Sequence, residues 1–334
     1  MIRWLFLAAP LLLAGCATLD RRAAPPASRI AIDADFPDPA VLRAVDGATY
    51  AYGTQGEVEG RMRNIQVARS ADLERLERLA DALPVKPAWA SRTQDFWAPH
   101  VAEVGGRYLL YYSAKPDAAL EDQEKGLCLA VATADRPEGP FTDMGAPLLC
   151  GPGFVNIDPM LFRDPASGRL LLYWGSGFGP IKVQEMRADG LGFAPGSAPI
   201  DLVAPVATED PANYRRLVEG AWVTLHGGWY YLFFSGDNCC GPKAHYAVLV
   251  ARSRSPAGPF EIKPENGGVI LAASLGWTAP GHNSVVERDG QSFILYHAVD
   301  DARPKSRAAD EVNTRRVMLV RRLVWEDGWP RVAD

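Results

Sequence analysis

The sequence contains no basic run long enough to follow a phosphate backbone. Its 35 Lys and Arg stand against 40 Asp and Glu, for a net charge of −5, so nucleic acid is not an expected partner. Cysteine is scarce: there are five, with no CxxC pair among them, which excludes the common zinc and dithiol motifs. Helical periodicity is almost missing. Only SADLERLERLADAL, Ser70 to Leu83, reads as a helix, with a cap at Ser70 and leucines at 73, 76, 79 and 83, and we place it as a loop decoration. What remains is a chain of 334 residues, 48% hydrophobic, with 31 Gly and 27 Pro, ample for a buried core of short, turn-rich elements.

The first sixteen residues, MIRWLFLAAPLLLAGC, combine a basic position at Arg3, a short apolar core and small residues before a cysteine. This is a secretory leader, too short for a spanning helix. LAGC, Leu13 to Cys16, resembles a bacterial lipobox, which implies cleavage before Cys16 and a lipid on it, with an ordinary signal cleaved nearby as the alternative. Residues 17–28 are then a tether and residues 29–334 the folded domain. The expected location is a secreted lipoprotein held on a membrane through Cys16, at the outer membrane facing the periplasm or the cell surface, because Ala17 and not an aspartate follows the cysteine. Of the other cysteines, a Cys128–Cys150 disulfide is open, while Cys239 and Cys240 read as two buried thiols because a vicinal bridge is strained.

One pattern recurs along the folded part: an apolar strand start, a glycine turn, then an aromatic-rich strand ending in small residues. The copies are DPAVLRAVDGATYAYGT from Asp38, APHVAEVGGRYLLYYSA from Ala98, DPMLFRDPASGRLLLYWGS from Asp158, EGAWVTLHGGWYYLFFSG from Glu219 and HNSVVERDGQSFILYHA from His282. They return at intervals of roughly sixty residues, with turn glycines at 47, 106, 168, 227 and 290. More strand material follows each hairpin, twice ending in GPF. Five units of about four strands predict an all-β fold, a five-bladed β-propeller. A pair of β-sandwiches, the other all-β option, would not impose one period.

The innermost strands of a propeller converge on its axis, so the first residues of the five copies should meet: Asp38, Ala98, Asp158, Glu219 and His282. No packing need calls for three carboxylates and an imidazole at one point, and clustered carboxylates raise one another's pKa. Glycosidic bond hydrolysis has that requirement: one carboxyl protonated to donate to the leaving oxygen, another ionised. Glu219, flanked by Ala221 and Trp222, is the expected general acid. Asp38, at a strand mouth set by Pro37 and Pro39, is the expected base, and Asp158 the group that orients Glu219 and raises its pKa.

With these motifs in order, DFPDPAVL, DFWAPHV, NIDPMLF, VEGAWV and PGHNSVV, the chain resembles glycoside hydrolase family 43 over nearly all of its mature length. The resemblance implies a five-bladed propeller, an inverting mechanism, and the roles of base, pKa modulator and acid at Asp38, Asp158 and Glu219. It implies a substrate among plant cell-wall pentose polysaccharides or their oligosaccharides, with α-L-arabinofuranosyl linkages first, cut exo or endo, and β-xylosidase action as the alternative. His282 matches a histidine near an axial calcium ion, held largely through water. An inverting enzyme separates its two carboxyl groups by about 6.5–9.5 Å.

Sugars offer apolar faces and many hydroxyls, so aromatics and donors near the axis should bind them. Phe36 and Trp97 flank aligned positions, and Arg316 supplies the donor, although strand alternation lets only one of Arg315 and Arg316 point inward. Trp174 and Trp222 should pack between blades. RDP, Arg163 to Pro165, resembles a motif of the fructan-cleaving propellers but precedes ASG and reads as a turn. A reading of another class, a catalytically silent carbohydrate-binding propeller, is weighed against the full carboxylate set.

Overall fold

The computed structural model describes residue 1 and residues 28–333, except 74, 123 and 306–313. Apart from Met1, the leader, its Cys16 and all but the last residue of the expected tether lie outside the described residues. The rest is a five-bladed β-propeller. Four blades follow one another along the chain, with innermost strands Ala40–Arg43, Phe96–Val104, Met160–Arg163 and Val218–His226. The fifth is built from Trp277–Arg288, Gln291–Asp300 and Arg316–Glu326. Its outer edge is completed from both ends of the domain. Arg29–Ile32 pairs with the upper part of Arg316–Glu326, placing Ile32 opposite Met318, and Trp329–Val332 pairs with the lower part. The ring is thus closed by a strand from the start of the domain.

Because each sheet is sandwiched between its neighbours, its second strand is apolar on both faces and does not alternate with polar residues. RYLLYYSA, Arg107–Ala114, shows how. Leu110 and Tyr112 pack with Tyr50 and Tyr52 of the first blade, whereas Leu109 and Tyr111 pack with Leu161, Leu172 and Trp174 of the third. Buried tyrosines need a partner for the hydroxyl, and they find it on the following blade. Tyr52 donates to Pro137 O, Tyr111 to Gly190 O, Tyr173 to Pro256 O and Tyr231 to Gly328 O, all within 2.6–2.7 Å.

The Ser70 to Leu83 segment is not a helix. Ser70 ends a strand, its hydroxyl accepts the N–H groups of Asp72 and Leu73, and Glu77–Arg78 forms the outer strand of the first blade. The leucine spacing is used differently: Leu73, Leu76 and Leu83 are buried against the blade, and tertiary packing overrides a weak local preference. Cys128 and Cys150 lie directly opposite on paired strands and are bridged. Cys239 and Cys240 are bridged to each other, not two free thiols.

Ile32 is 4% exposed in the closing strand, and Ile30 is 36% exposed. Ile32→Ala should lower the unfolding free energy by about 2–5 kcal/mol in denaturant titration, while Ile30→Ala should stay within about 0.5 kcal/mol of the parent.

Candidate active site

Each innermost strand enters its blade through a residue with left-handed backbone: Asp38 at φ 56°, Ala98 at 48°, Asp158 at 61°, Gly220 at 61° and His282 at 44°. In three of the blades a bulge at this point sets two residues against one on the partner strand, which bends the strand and re-aims its side chains. Four of the five residues carry a Cβ, a conformation that costs energy and persists only when its surroundings fix it.

Those surroundings are a ring of hydrogen bonds. The N–H of each left-handed residue donates to a side chain of the preceding blade: Ala98 to Thr54 Oγ1 at 2.8 Å, Asp158 to Ser113 Oγ at 3.2 Å, Gly220 to Asp158 Oδ2 at 2.9 Å, His282 to Ser235 Oγ at 2.7 Å and Asp38 to His297 Nδ1 at 3.0 Å. Four acceptors sit at the polar end of a second strand. In the third blade that position is Gly175, whose N–H bonds Ile157 O. It has no side chain to offer, and Asp158 serves instead.

The fourth repeat is therefore offset by one from the sequence alignment. Gly220, not Glu219, is the equivalent of Asp38, Asp158 and His282. The turn glycine shifts with it, because the two-residue hairpin loop is Gly227-Gly228, both at positive φ, matching Gly105-Gly106 and Asp289-Gly290. Glu219 occupies the position that Trp97 holds in the second blade.

Asp38, Asp158 and Glu219 are 9%, 5% and 8% exposed. Asp38 Oδ2 accepts from Thr54 Oγ1 at 2.5 Å, and Oδ1 lies 3.2 Å from Arg316 Nη1 and 3.5 Å from His282 Nδ1. Burial works to raise its pKa, but the Arg316 guanidinium outweighs it and holds the carboxyl well below the usual range. The stretch around Asp35 aims that guanidinium: Phe36 N–H donates to Arg316 O, and Arg316 N–H donates to Asp35 Oδ1 at 3.0 Å.

Glu219 accepts from Ser176 Oγ at Oε2 and from Tyr246 OH at Oε1, the latter at 2.8 Å. Burial pushes its pKa up despite both hydroxyls. Asp158 is raised well above its usual range, by burial first and then by Glu219 and Asp38. The three carboxyls thus divide into one held ionised and two that favour protons. His297 is fully buried, its pKa lowered by burial to about 4. Since its Nδ1 accepts an N–H, the ring is neutral and its 3.4 Å approach to Asp38 is not an ion pair. His282 is also lowered by burial, with Nδ1 at 3.5 and 3.7 Å from Asp38 and Asp158.

The structure brings Asp38, Asp158, Glu219, His282 and Arg316 together. Arg315 points away, to Asp33 and Asp300. Trp97 is half-buried, but Phe36 is fully buried with its ring against the backbone of Gly53, so it has no face free for a sugar. It flanks the axial position in sequence yet points into the interblade core. Trp174 and Trp222 are buried, Trp222 edge-on to His100, and Asp164 of RDP bonds Ala166, Ser167 and Tyr230 in a turn. Sequence reasoning missed Thr54, Ser176, Tyr246 and His297. Three of them close or follow an aromatic run, AYGT, YWGS and LYHA, and that polar ending was the signal.

The sequence profile of glycosyl hydrolases family 43 matches residues 29–330. The chain belongs to this family. It is a family 43 glycoside hydrolase, and the binding-only alternative gives way. It is 31% identical to xylosidase/arabinosidase 43A of Humicola insolens, over 63% of this chain and 67% of that one. It is 30% identical to a probable arabinan endo-1,5-alpha-L-arabinosidase B of Aspergillus oryzae, over 80% of this chain and 83% of the relative. The crystal structure of a thermostable family-43 glycoside hydrolase superposes with a TM-score of 0.71 at 28% identity, covering 89% of this chain and 92% of that one.

Removing the guanidinium should let Asp38 protonate at higher pH. Arg316→Gln is expected to move the acid limb of the pH profile of kcat/KM upward, because activity that needs Asp38 ionised is lost as pH falls through its raised pKa. An acid limb that stays in place would contradict the pairing of these two groups.

Proposed function

We propose that the protein is an inverting hydrolase of α-L-arabinofuranosyl linkages in arabinan or arabinoxylan-derived saccharides, with Asp38 as general base and Glu219 as general acid. The observation that carries the division of roles is electrostatic. Asp38 is held ionised by Arg316, whereas buried Glu219 favours its proton. Their places in the ring support inversion. Asp38 belongs to the first blade and Glu219 to the fourth, which are not neighbours, so the two carboxyls approach the axis from different sides, as a pair that acts with a water between them requires.

In this reading Asp38 takes a proton from a water attacking the anomeric carbon, and Glu219 gives its proton to the leaving oxygen on the other face. Asp158 acts through the backbone: by accepting the Gly220 N–H it fixes the bulge that carries Glu219, whose proton is favoured by burial and by the Asp38 carboxylate. Ser176 and Tyr246 hold the carboxyl at both oxygens. Trp97 and Arg316 are the proposed substrate contacts that remain once Phe36 is set aside.

The preference for arabinan rests on coverage. The arabinanase relative aligns over four-fifths of either chain, against about two-thirds for the xylosidase/arabinosidase. β-Xylosidase action is kept as the second reading because a beta-xylosidase of Xylanibacter ruminicola is 29% identical over 61% of this chain and 65% of that relative. A calcium ion beside His282 would rest on water more than on the chain. Calcium takes about six to eight oxygen ligands, and among the described residues no group of three or more His, Cys, Asp or Glu side chains is arranged to hold an ion. No step is routed through it. Lipid attachment at Cys16, and with it a membrane-anchored location, is supported by the lipobox-like LAGC.

The test is product analysis on linear arabinan, arabinoxylan and xylo-oligosaccharides, with Glu219→Gln as control. Arabinose or arabino-oligosaccharides should be released by the parent, and Glu219→Gln should lose about 10²–10⁴-fold in kcat on these unactivated substrates. Xylose alone would move the function to β-xylosidase, and full activity in Glu219→Gln would overturn the acid.

A further inference from the structure

Phe154 and Phe178 are the two most exposed aromatic side chains among the described residues, 37% and 69% exposed. They come from different loops of the third blade, yet stand together, edge to face, with ring centroids 6.3 Å apart and planes at 63°. One loop leads into Asp158. The other leaves the end of Leu170–Trp174, which pairs antiparallel with Met160–Arg163, so both loops lie at the end of the blade that carries the carboxylates.

The second loop is built to a fixed shape. Phe178 has φ 66°, a conformation that a bulky side chain adopts only at a cost, and such residues gather at functional sites. Gly177, at φ 65°, lies so close to the other loop that a Cβ would meet Val155 N at 3.0 Å and the carbonyl carbon of Phe154 at 3.1 Å. A Cβ at Gly175 would meet Pro180 O at 2.5 Å. Gly177 therefore lets the two loops close on each other, and Gly175 lets the second loop fold back on itself, so that Phe154 braces Phe178 and leaves it uncovered. Two residues before Phe178, the buried Ser176 donates to Glu219 Oε2, which ties this loop to the carboxyl beside the leaving oxygen.

We propose that Phe178, braced by Phe154, is the sugar-stacking platform on the leaving-group side of the scissile bond, determining how strongly the enzyme holds the part of the chain that departs. The proposal rests on the hydrolase reading and on Glu219 as its acid. A pentose ring presents C–H groups on one face, and an exposed phenylalanine face is its natural complement. The sugar deep at the axis, between Asp38 and Glu219, would not reach it; the unit bonded through the oxygen that Glu219 protonates would pass over it.

The experiment compares the parent with Phe178→Ala, Phe178→Trp and Phe154→Ala on two kinds of substrate. One is a series of oligosaccharides, two to six units long, of the sugar the parent releases. The other is the glycosyl fluoride of the same sugar, which has no sugar on the leaving side. Phe178→Ala should lose roughly tenfold in kcat/KM on the oligosaccharides, carried by KM, and stay within about twofold on the fluoride. Phe154→Ala should show a smaller loss of the same kind, and Phe178→Trp should keep the parent's values. A loss on the oligosaccharides carried by kcat and not by KM would mean that the loop only supports the acid, which a fluoride leaving group needs far less, and unchanged oligosaccharide kinetics would mean that the platform binds nothing; either overturns the proposal while leaving the hydrolase reading intact. A parent inactive on every glycoside would sink that reading and the platform with it.

Discussion

The site depends on one repeated backbone constraint. At each blade's entry a residue is held in the left-handed region, and its N–H is bonded to a side chain of the blade before it. The bond satisfies a buried donor and fixes how the blade meets its neighbour, so interblade packing and side-chain aim are set by the same five contacts. Where the repeat is regular, the acceptor is a hydroxyl or an imidazole on a second strand. At the one irregular point, Gly175 has no side chain, a carboxylate accepts instead, and the residue just before the held N–H is Glu219. The exception in the ring is the place where the proposed acid stands.

The constraint also explains how three buried carboxyls coexist. Like charges at this density would drive all three toward protonation. Among the described residues Arg316 forms its ion pair with Asp38, clipped through its backbone by Asp35 and Phe36, and there it offsets the burial of the carboxyl. Among the described residues Asp158 and Glu219 pair with no Lys or Arg, and both favour protons. A fold with near five-fold regularity thereby acquires two chemically opposite sides, because among the described residues one blade pairs an arginine with an axial carboxylate.

Much of this was legible in the sequence. The period and the glycine turns gave the propeller, since both follow from local backbone chemistry, and Asp38, Asp158 and His282 fell at equivalent points because one copy was aligned on the next. Glu219 was found at the axis by a register one residue off: EG and GG each offer two placements, and only the paired strands show that Gly220 and Gly228 are the equivalents. Phe36 was misread because sequence adjacency does not say which way a ring in the segment leading into a strand will point. The leucines after Ser70 imitated a helix, yet they are spaced to fill a seam. The closing strand at Arg29–Ile32 left no signal, because its pairing partner lies almost three hundred residues away.

The central claim is that a base held ionised in the first blade and an acid whose proton is favoured by burial in the fourth act from opposite sides of one bond. Proton NMR of the first-formed sugar, recorded before mutarotation, tests it most directly. The account predicts that the released sugar appears initially with the anomeric configuration opposite to that of the bond cleaved. Initial retention of configuration would contradict it, since it requires a carboxylate close enough to bond the sugar, where this structure is read as leaving room for water.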